Sequence, residues 1–187
     1  MGNNMSAAGV TAFQQFLQDH DTATAAIAAW CRRNRPASAA DVSVTVLLDR
    51  EADPQDYDGP LQVSAGEPLR CRRVLLKWGE QVVSEAENWY FPRRLPVAMQ
   101  AALTHGNQPF GVVVSALLPR RTTIAMHTGD DIQRGGKAIE GCLAELEKAA
   151  VFSPPGAFVL HVTAVMEASG VVLAELREHY RRELMAF

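Results

Sequence analysis

The sequence predicts an α+β fold, with a six-stranded antiparallel sheet and helices packed against it. Strand-like segments occur in neighbouring pairs joined by short turns, which indicates hairpins and therefore antiparallel neighbours. Helical segments lie between these pairs without a regular strand–helix–strand alternation. A doubly wound parallel sheet is therefore not expected.

The first half of the chain is predicted to supply two helices and three strands. Apolar residues at helical spacing predict a short helix over 10–18, and an alanine-rich helix follows a cap-like polar cluster over 22–33. Alternating apolar residues predict a strand over 42–48. The strand-like runs 69–78 and 81–90 are separated by Gly-Glu, which predicts a hairpin.

The second half is predicted to supply two more helices and three more strands. Residues 93–103 carry apolar side chains four apart, as a helix does, and the β-branched run 111–118 predicts a buried strand. The segment 131–150 is apolar along one helical face. The runs 157–166 and 170–176 predict a closing hairpin.

Composition favours one cytoplasmic domain over residues 1–187, with residues 1–9 disordered. The chain is 48% hydrophobic, has a net charge of -3 and lacks a basic excess, so a nucleic-acid partner is not expected. No apolar run is long enough to span a membrane, and the N-terminal residues do not have the pattern of a secretion signal. Cys31, Cys71 and Cys142 are odd in number and widely spaced, which is typical of reduced thiols.

The common cofactor and metal motifs are missing from the sequence. Gly135-Gly136-Lys137 lacks the spacing and the hydroxyl residue of a phosphate-binding loop. There is no GxGxxG, no GxSxG and no HExxH, and the five histidines are scattered. The sequence therefore predicts neither a cofactor nor a metal ion.

Two charged residues and one turn are candidates for a binding site. Arg72 shares its predicted strand face with Val74 and Leu76, so it is either a surface arginine or a buried guanidinium that pairs with a carboxylate. Glu175 lies within an apolar run and is either exposed at an edge or buried with a partner. The turn 106–111 is bounded by glycines and could present backbone N–H groups to an anion.

Five short segments, taken in this order, resemble the chorismate lyase family. Each is a weak match alone, and their shared order along the chain carries the resemblance. The segments are Asp21-Thr-Ala-Thr24, Val42-Ser-Val-Thr45, Arg72-Arg-Val-Leu-Leu76, Gly106-Asn-Gln-Pro-Phe-Gly111 and Gly170-Val-Val-Leu-Ala-Glu-Leu176.

The resemblance implies a cofactor-free lyase that eliminates pyruvate from chorismate to give 4-hydroxybenzoate, in an internal ligand cavity closed by helical flaps. Arg72 would bind a ligand carboxylate, with help from backbone N–H groups near Ala23, Phe110 and Gly111. Glu175 would lie at the far end of the cavity, near the ring hydroxyl, and act as general acid or base.

A non-catalytic protein that binds a small aromatic carboxylate is the alternative, because the same fold serves as the effector-binding domain of some bacterial regulators. Such domains follow a DNA-binding winged helix, for which the first 40 residues are too short and not basic.

The chain departs from the family in its longer early helix, in Phe110 where a leucine is usual, in the stretch 160–165 where the family has a basic pair, and at two further places. The segment 119–153 is long, and residues 177–183 are charged and predict a helix after Glu175. These departures put the substrate in more doubt than the pocket. The sequence does not predict an oligomeric state.

Overall fold

The computed structural model describes residues 7–128 and 157–186. Its centre is a six-stranded sheet in the order β1-β2-β3-β6-β5-β4, in which all neighbours are antiparallel. The strands are β1 (Val42–Ala52), β2 (Leu69–Trp78), β3 (Gln81–Tyr90), β4 (Arg120–Thr128), β5 (Phe158–Ala168) and β6 (Val171–Arg181). The predicted α+β class and its six-stranded antiparallel sheet are confirmed.

Five α-helices accompany the sheet within the described ranges. They are α1 (Ala7–Gln18), α2 (Ala23–Asn34), α3 (Val97–His105), α4 (Phe110–Val114) and α5 (Arg182–Met185). Single 3-10 turns cover Pro54–Asp56, Pro92–Arg94 and Ser115–Leu117. Thr22 caps α2, because its side chain accepts a hydrogen bond from the Ala25 N–H at 3.2 Å.

Strand register divides the sheet into two faces. Arg72 pairs with Asn88, and Asn88 pairs with Leu176. Paired residues project to the same side, so these three side chains share one face. The helices pack on this face, which we call the helical face. The segment 53–68 packs on the opposite side, which we call the loop face.

The helical face holds most of the core. At one end of the helical face, α1 and α2 pack on the sheet through buried residues that include Phe13, Ile27 and Trp30. Trp30 also donates to the backbone oxygen of Leu184, which ties α5 to α2. At the other end of the helical face, α3 and α4 pack on β3, β5 and β6. The ends of α2 and α4 meet between these two clusters, and their meeting point bounds the candidate site.

One predicted strand is a helix. Residues 111–118 form α4 and a 3-10 turn, although the run of valines favours a strand. Phe110, Val113 and Val114 are buried at helical spacing against the core, so tertiary packing overrides the local preference. The fourth strand is instead β4, which lies in the segment that the sequence presents as an insertion.

The predicted charged helix over 177–183 is also wrong. Strand β6 continues to Arg181, and only the short α5 follows it. At the other end of the chain, α1 begins at Ala7, so residues 7–9 are helical where disorder is expected, and residues 1–6 lie outside the described ranges. The predicted helix 131–150 lies outside them as well.

None of the helices in residues 7–128 and 157–186 is long and apolar enough to cross a bilayer.

Candidate functional site

A small cavity lies between the helical face and the meeting point of α2 and α4. Its volume is about 30 Å³, room for roughly one or two water molecules. Its walls are mainly apolar side chains of the sheet, together with a few polar residues. The lining residues include Thr22, Ala23, Thr24, Asn88, Phe110, Gly111, Met166, Leu176 and Glu178.

One end of the cavity carries four backbone N–H groups. The N–H groups of Ala23 and Thr24 begin α2, and those of Phe110 and Gly111 follow the 106–111 turn. Within the described residues, none of these four groups donates a hydrogen bond. Free N–H groups at a helix N-terminus attract anions through hydrogen bonding and the helix dipole. This end therefore suits a carboxylate or another small anion.

The two segments at this end touch each other. A Cβ atom at Gly111 would lie 2.9 Å from Thr22 Cγ2 and 3.0 Å from Thr22 Cβ, so only glycine fits here without movement. This contact narrows the cavity, which is well below the roughly 300 Å³ typical of ligand sites. A ring-sized ligand therefore requires the turn and α2 to move apart.

Arg72 is completely buried beside this turn. Its Nη2 donates to the backbone oxygen of Gln108 at 3.0 Å and, more weakly, to that of Gly106 at 3.4 Å. Its Nε lies 3.6 Å from Asp49 Oδ2. Burial lowers the pKa of Arg72, although Asp49 opposes this shift. Arg72 does not line the cavity in this conformation, so its observed contacts hold the turn in place.

Asn88 is a polar residue in the cavity wall. It is 5% exposed, lies next to Arg72 across the β2–β3 ladder, and lines the cavity. Its side-chain amide makes no hydrogen bond to the described part of the chain. Buried amides are normally satisfied, so Asn88 offers both a donor and an acceptor to a ligand.

Glu178 is the acidic residue that lines the cavity. It is 3% exposed, and its Oε2 accepts from Arg121 Nη2 at 2.6 Å and from the Tyr180 hydroxyl at 2.8 Å. Burial alone would lower the pKa of Arg121, but the Glu178 carboxylate outweighs burial and raises it. Glu178 is not among the residues selected from the sequence, because its segment is predicted to be a charged helix. Alternation of Leu176, Glu178 and Tyr180 along a longer strand is the signal that would have identified it.

Glu175 lies on the other side of the sheet. It pairs with Trp89, one residue away from the Asn88–Leu176 pair, so its side chain points to the loop face. There it accepts from the Tyr57 hydroxyl at 2.6 Å and from Arg177 at 2.9 Å. The expectation that Arg72 and Glu175 occupy opposite ends of one cavity is therefore wrong, because the sheet separates them.

A row of histidines crosses the loop face. His127 pairs with His161 and His161 pairs with His179 along neighbouring strands. The Nδ1 atoms of His161 and His179 lie 2.5 Å apart. Burial, with the neighbouring positive groups, lowers the pKa of His161 to about 3 and that of His179 to about 4. Among residues 7–128 and 157–186, no three His, Cys, Asp or Glu side chains are arranged to hold a metal ion.

A larger groove of about 580 Å³ lies between the 60–64 segment and the β5–β6 turn. Its cation, Arg94, is already held by the Glu67 carboxylate through two contacts of 2.6 and 2.7 Å, and it donates to the Val172 oxygen. Among the described residues that line it, the groove therefore offers a ligand no unpaired charged group.

Comparison with curated proteins finds one related chain. The uncharacterized protein y4mC from Sinorhizobium fredii is 31% identical over 116 residues. The match covers 58% of this chain but only 46% of y4mC. No protein-family model matches the sequence.

Solved structures share the fold at low sequence identity. The effector domain of PhnF from Mycobacterium smegmatis has a TM-score of 0.50 and 14% identity, with 87% of this chain and 90% of that domain covered. A structure of PhnF itself has a TM-score of 0.53 and 13% identity, with 89% and 66% covered. The ligand-binding domain of a protein described as a GntR-family transcriptional regulator, from Bordetella bronchiseptica, has a TM-score of 0.47 and 16% identity, with 76% and 83% covered.

These likenesses concern the fold. The chain covers nearly all of the PhnF effector domain but less than two thirds of PhnF and less than half of y4mC. Chorismate lyase activity gains no support from them. The six-stranded sheet with its flanking helices is similar in fold to the effector domain of PhnF.

Proposed function

We propose that this chain is a non-catalytic binding domain for a small, aromatic carboxylate. The single observation that carries the proposal is a group of four N–H groups, unpaired among residues 7–128 and 157–186, at one end of an apolar-walled cavity. A carboxylate would accept from them, and an aromatic ring would lie along the apolar side chains of the sheet. The fold supports the proposal, because the PhnF structure to which it is similar is described as an effector domain.

Entry of the ligand opens the contact between Gly111 and Thr22. The 106–111 turn rests on Arg72, whose donors bind the turn's carbonyl oxygens. Arg72 Nη1 has no hydrogen-bond partner within the described residues. When the turn moves, this nitrogen becomes available to the incoming anion. Binding of an anion here would explain why the Arg72 guanidinium is buried with some of its N–H groups unpaired among the described residues.

The lyase hypothesis has weaker support than the binding hypothesis. It requires an acid or base at the far end of the cavity, and Glu175, the residue inferred from the family, faces away from the cavity. Glu178 lines the cavity, but its Oε2 already accepts hydrogen bonds from Arg121 and Tyr180. These contacts hold the Glu178 side chain in an ion pair with Arg121.

Calorimetric titration with benzoate and with benzamide tests the proposal. The two probes have the same ring and differ in the charged group, so benzoate should bind and benzamide should not. Saturating benzoate at about 100 times its Kd should raise the free energy of unfolding by about 2.7 kcal/mol. Equal binding of both probes, or no binding of either, would contradict an anion site.

Incubation with chorismate separates the two hypotheses. A binding domain gives neither pyruvate nor 4-hydroxybenzoate above the uncatalysed rate. Product formation that the Glu178→Gln variant abolishes would establish the lyase instead.

A further inference from the structure

Two histidines on the loop face turn ring nitrogens towards each other. His161 of β5 and His179 of β6 are paired directly across the two strands, and their Nδ1 atoms lie 2.5 Å apart. The ring centroids are 4.6 Å apart and the ring planes cross at 66°, so the rings meet edge to face and are not stacked. The two facing nitrogens therefore converge on one point. A proton shared between the rings can occupy that point, and so can a metal ion.

The spacing of these nitrogens is close to that of two neighbouring ligands on one metal ion. Metal–imidazole bonds are about 2.0–2.1 Å long, so two such nitrogens lie about 2.9 Å apart in square-planar geometry and about 3.3 Å apart in tetrahedral geometry. The Nδ1 atoms would have to separate by roughly 0.4–0.8 Å, which small rotations of the two side chains can provide. His179 is half-buried and His161 is 8% exposed, so the pair is partly accessible to solvent.

Phe158 packs against both rings. Its ring centroid lies 5.5 Å from that of His161 and 5.7 Å from that of His179, and the side chain is 6% exposed. Phe158 restricts the orientation of the two imidazoles without offering them a hydrogen-bond acceptor. Apolar groups beside a metal site also limit the access of water to the ion.

The charges around the pair do not exclude a cation. Arg177 and Arg181 lie two residues before and after His179 on the same strand face, and alone they would repel a metal ion. Each arginine is paired with two carboxylates, whose oxygens lie 2.7 to 3.6 Å from the guanidinium nitrogens. These are Asp58 and Glu175 at Arg177, and Glu85 and Glu183 at Arg181. The carboxylates outnumber the guanidinium groups, so the repulsion is offset.

We propose that His161 and His179 bind one divalent transition-metal ion that prefers imidazole ligands, such as Cu²⁺ or Zn²⁺. Both histidines bind the ion through Nδ1, and water completes the coordination. Imidazole favours these ions over Mg²⁺ and Ca²⁺, which prefer oxygen ligands. The site does not depend on the proposed binding function, because the sheet lies between the histidine pair and the cavity.

Calorimetric titration of the untagged, metal-free protein with CuCl₂ and with ZnCl₂ tests the proposal, with MgCl₂ as the control. One equivalent of Cu²⁺ should bind, more tightly than Zn²⁺, and Mg²⁺ should not bind. Electron paramagnetic resonance of the Cu²⁺ complex should show splitting by two nitrogen ligands. Absence of saturable Cu²⁺ binding, or a spectrum with fewer than two nitrogen ligands, would overturn the proposal.

Three single variants assign the ligands. Loss of a hydrogen-bond partner of a ligand already weakens metal binding about 10–100-fold, so His161→Gln and His179→Gln should each weaken Cu²⁺ binding at least about tenfold. His127→Gln is the matched control, because it removes an exposed histidine of the same row; its affinity should stay within about twofold of wild type.

Equal losses in all three variants would show that the ion binds to exposed histidines, and the proposal would fail. Unchanged affinity in His161→Gln or in His179→Gln would refute it as well. If a glutamine variant does not fold, the resonance spectrum of the wild-type Cu²⁺ complex decides the question without it.

Discussion

Replacement of Arg72 by methionine tests how the turn beside the cavity is held. The variant loses one hydrogen bond of 3.0 Å to the Gln108 oxygen and a weaker one of 3.4 Å to the Gly106 oxygen. Hydrogen bonds from charged donors stabilise by about 1.5–3 kcal/mol each, so the gross loss is about 2–4 kcal/mol. Asp49 keeps a partner, because Arg70 binds it at 2.7 Å.

Part of this loss is recovered. Arg72 Nε and Nη1 have no hydrogen-bond partner within the described residues, and methionine removes this unfavourable burial. We therefore expect a net loss of about 2 kcal/mol, or a fall in melting temperature of about 5 °C for a chain of this size. The affinity for benzoate should fall about tenfold, because the turn no longer holds the N–H groups of Phe110 and Gly111 in place.

Arg70→Met is the matched control, because Arg70 binds the same aspartate without a hydrogen bond to the turn. Circular dichroism gives the melting temperatures, and calorimetry gives the affinities. The control should keep the wild-type affinity within twofold. Equal losses of affinity in both variants would refute the reasoning, because the effect would then pass through Asp49. An unchanged affinity in Arg72→Met would refute it too.

Three further predictions concern other parts of the structure. Gly111→Ala places a methyl group against Thr22, the cap residue of α2, and should lower the free energy of unfolding by about 1–3 kcal/mol. Gly9→Ala adds a methyl group that meets nothing within 4 Å, so this control should raise the free energy of unfolding by about 0.5–1 kcal/mol. Urea unfolding of both variants checks these values. The low pKa values of His161 and His179, about 3 and about 4 against 6.5 for an ordinary histidine, mean that the unfolded chain binds more protons below pH 6.5. The free energy of unfolding should therefore be highest above pH 6.5 and should decrease as the pH drops towards 4. Urea titrations at several pH values should show a smaller decrease when both histidines are replaced by glutamine. An equal decrease in the wild-type protein and the variant would contradict the prediction. Glu175→Gln weakens the contacts to Tyr57 and Arg177 and should lower the free energy of unfolding by about 1–3 kcal/mol. Its benzoate affinity, measured by calorimetry, should stay within twofold of wild type, because Glu175 faces away from the cavity. A marked loss of affinity would contradict the assignment of faces.

The sequence predicted the paired elements well. The hairpin of 69–78 and 81–90 matches β2 and β3 residue for residue, and α2 differs from its predicted range by one residue at each end. In these segments the local pattern, the turn residues and the packing all favour the same structure. The predicted number of strands also agrees with the six in the described residues, although one of them is predicted at 111–118 instead of at β4.

The candidate site was only partly predictable. Ala23, Phe110 and Gly111 line the cavity at its N–H end, where the resemblance places them, and their role in binding stays a prediction. Arg72 lies on the same face but behind the turn, a position that depends on how the turn packs. Glu178 was missed because charged residues near the end of a chain favour a solvated helix in the sequence pattern.

Alternation and turn chemistry act between near neighbours, so local pattern was enough to predict which segments pair and which strand face is apolar. Contacts between distant parts of the chain make the valine run helical and bring Glu178, rather than Glu175, to the cavity. For the two glutamates the cause is the two-residue period of a strand. Residues one position apart project to opposite faces, and which face meets the helices depends on the register across β2, β3 and β6.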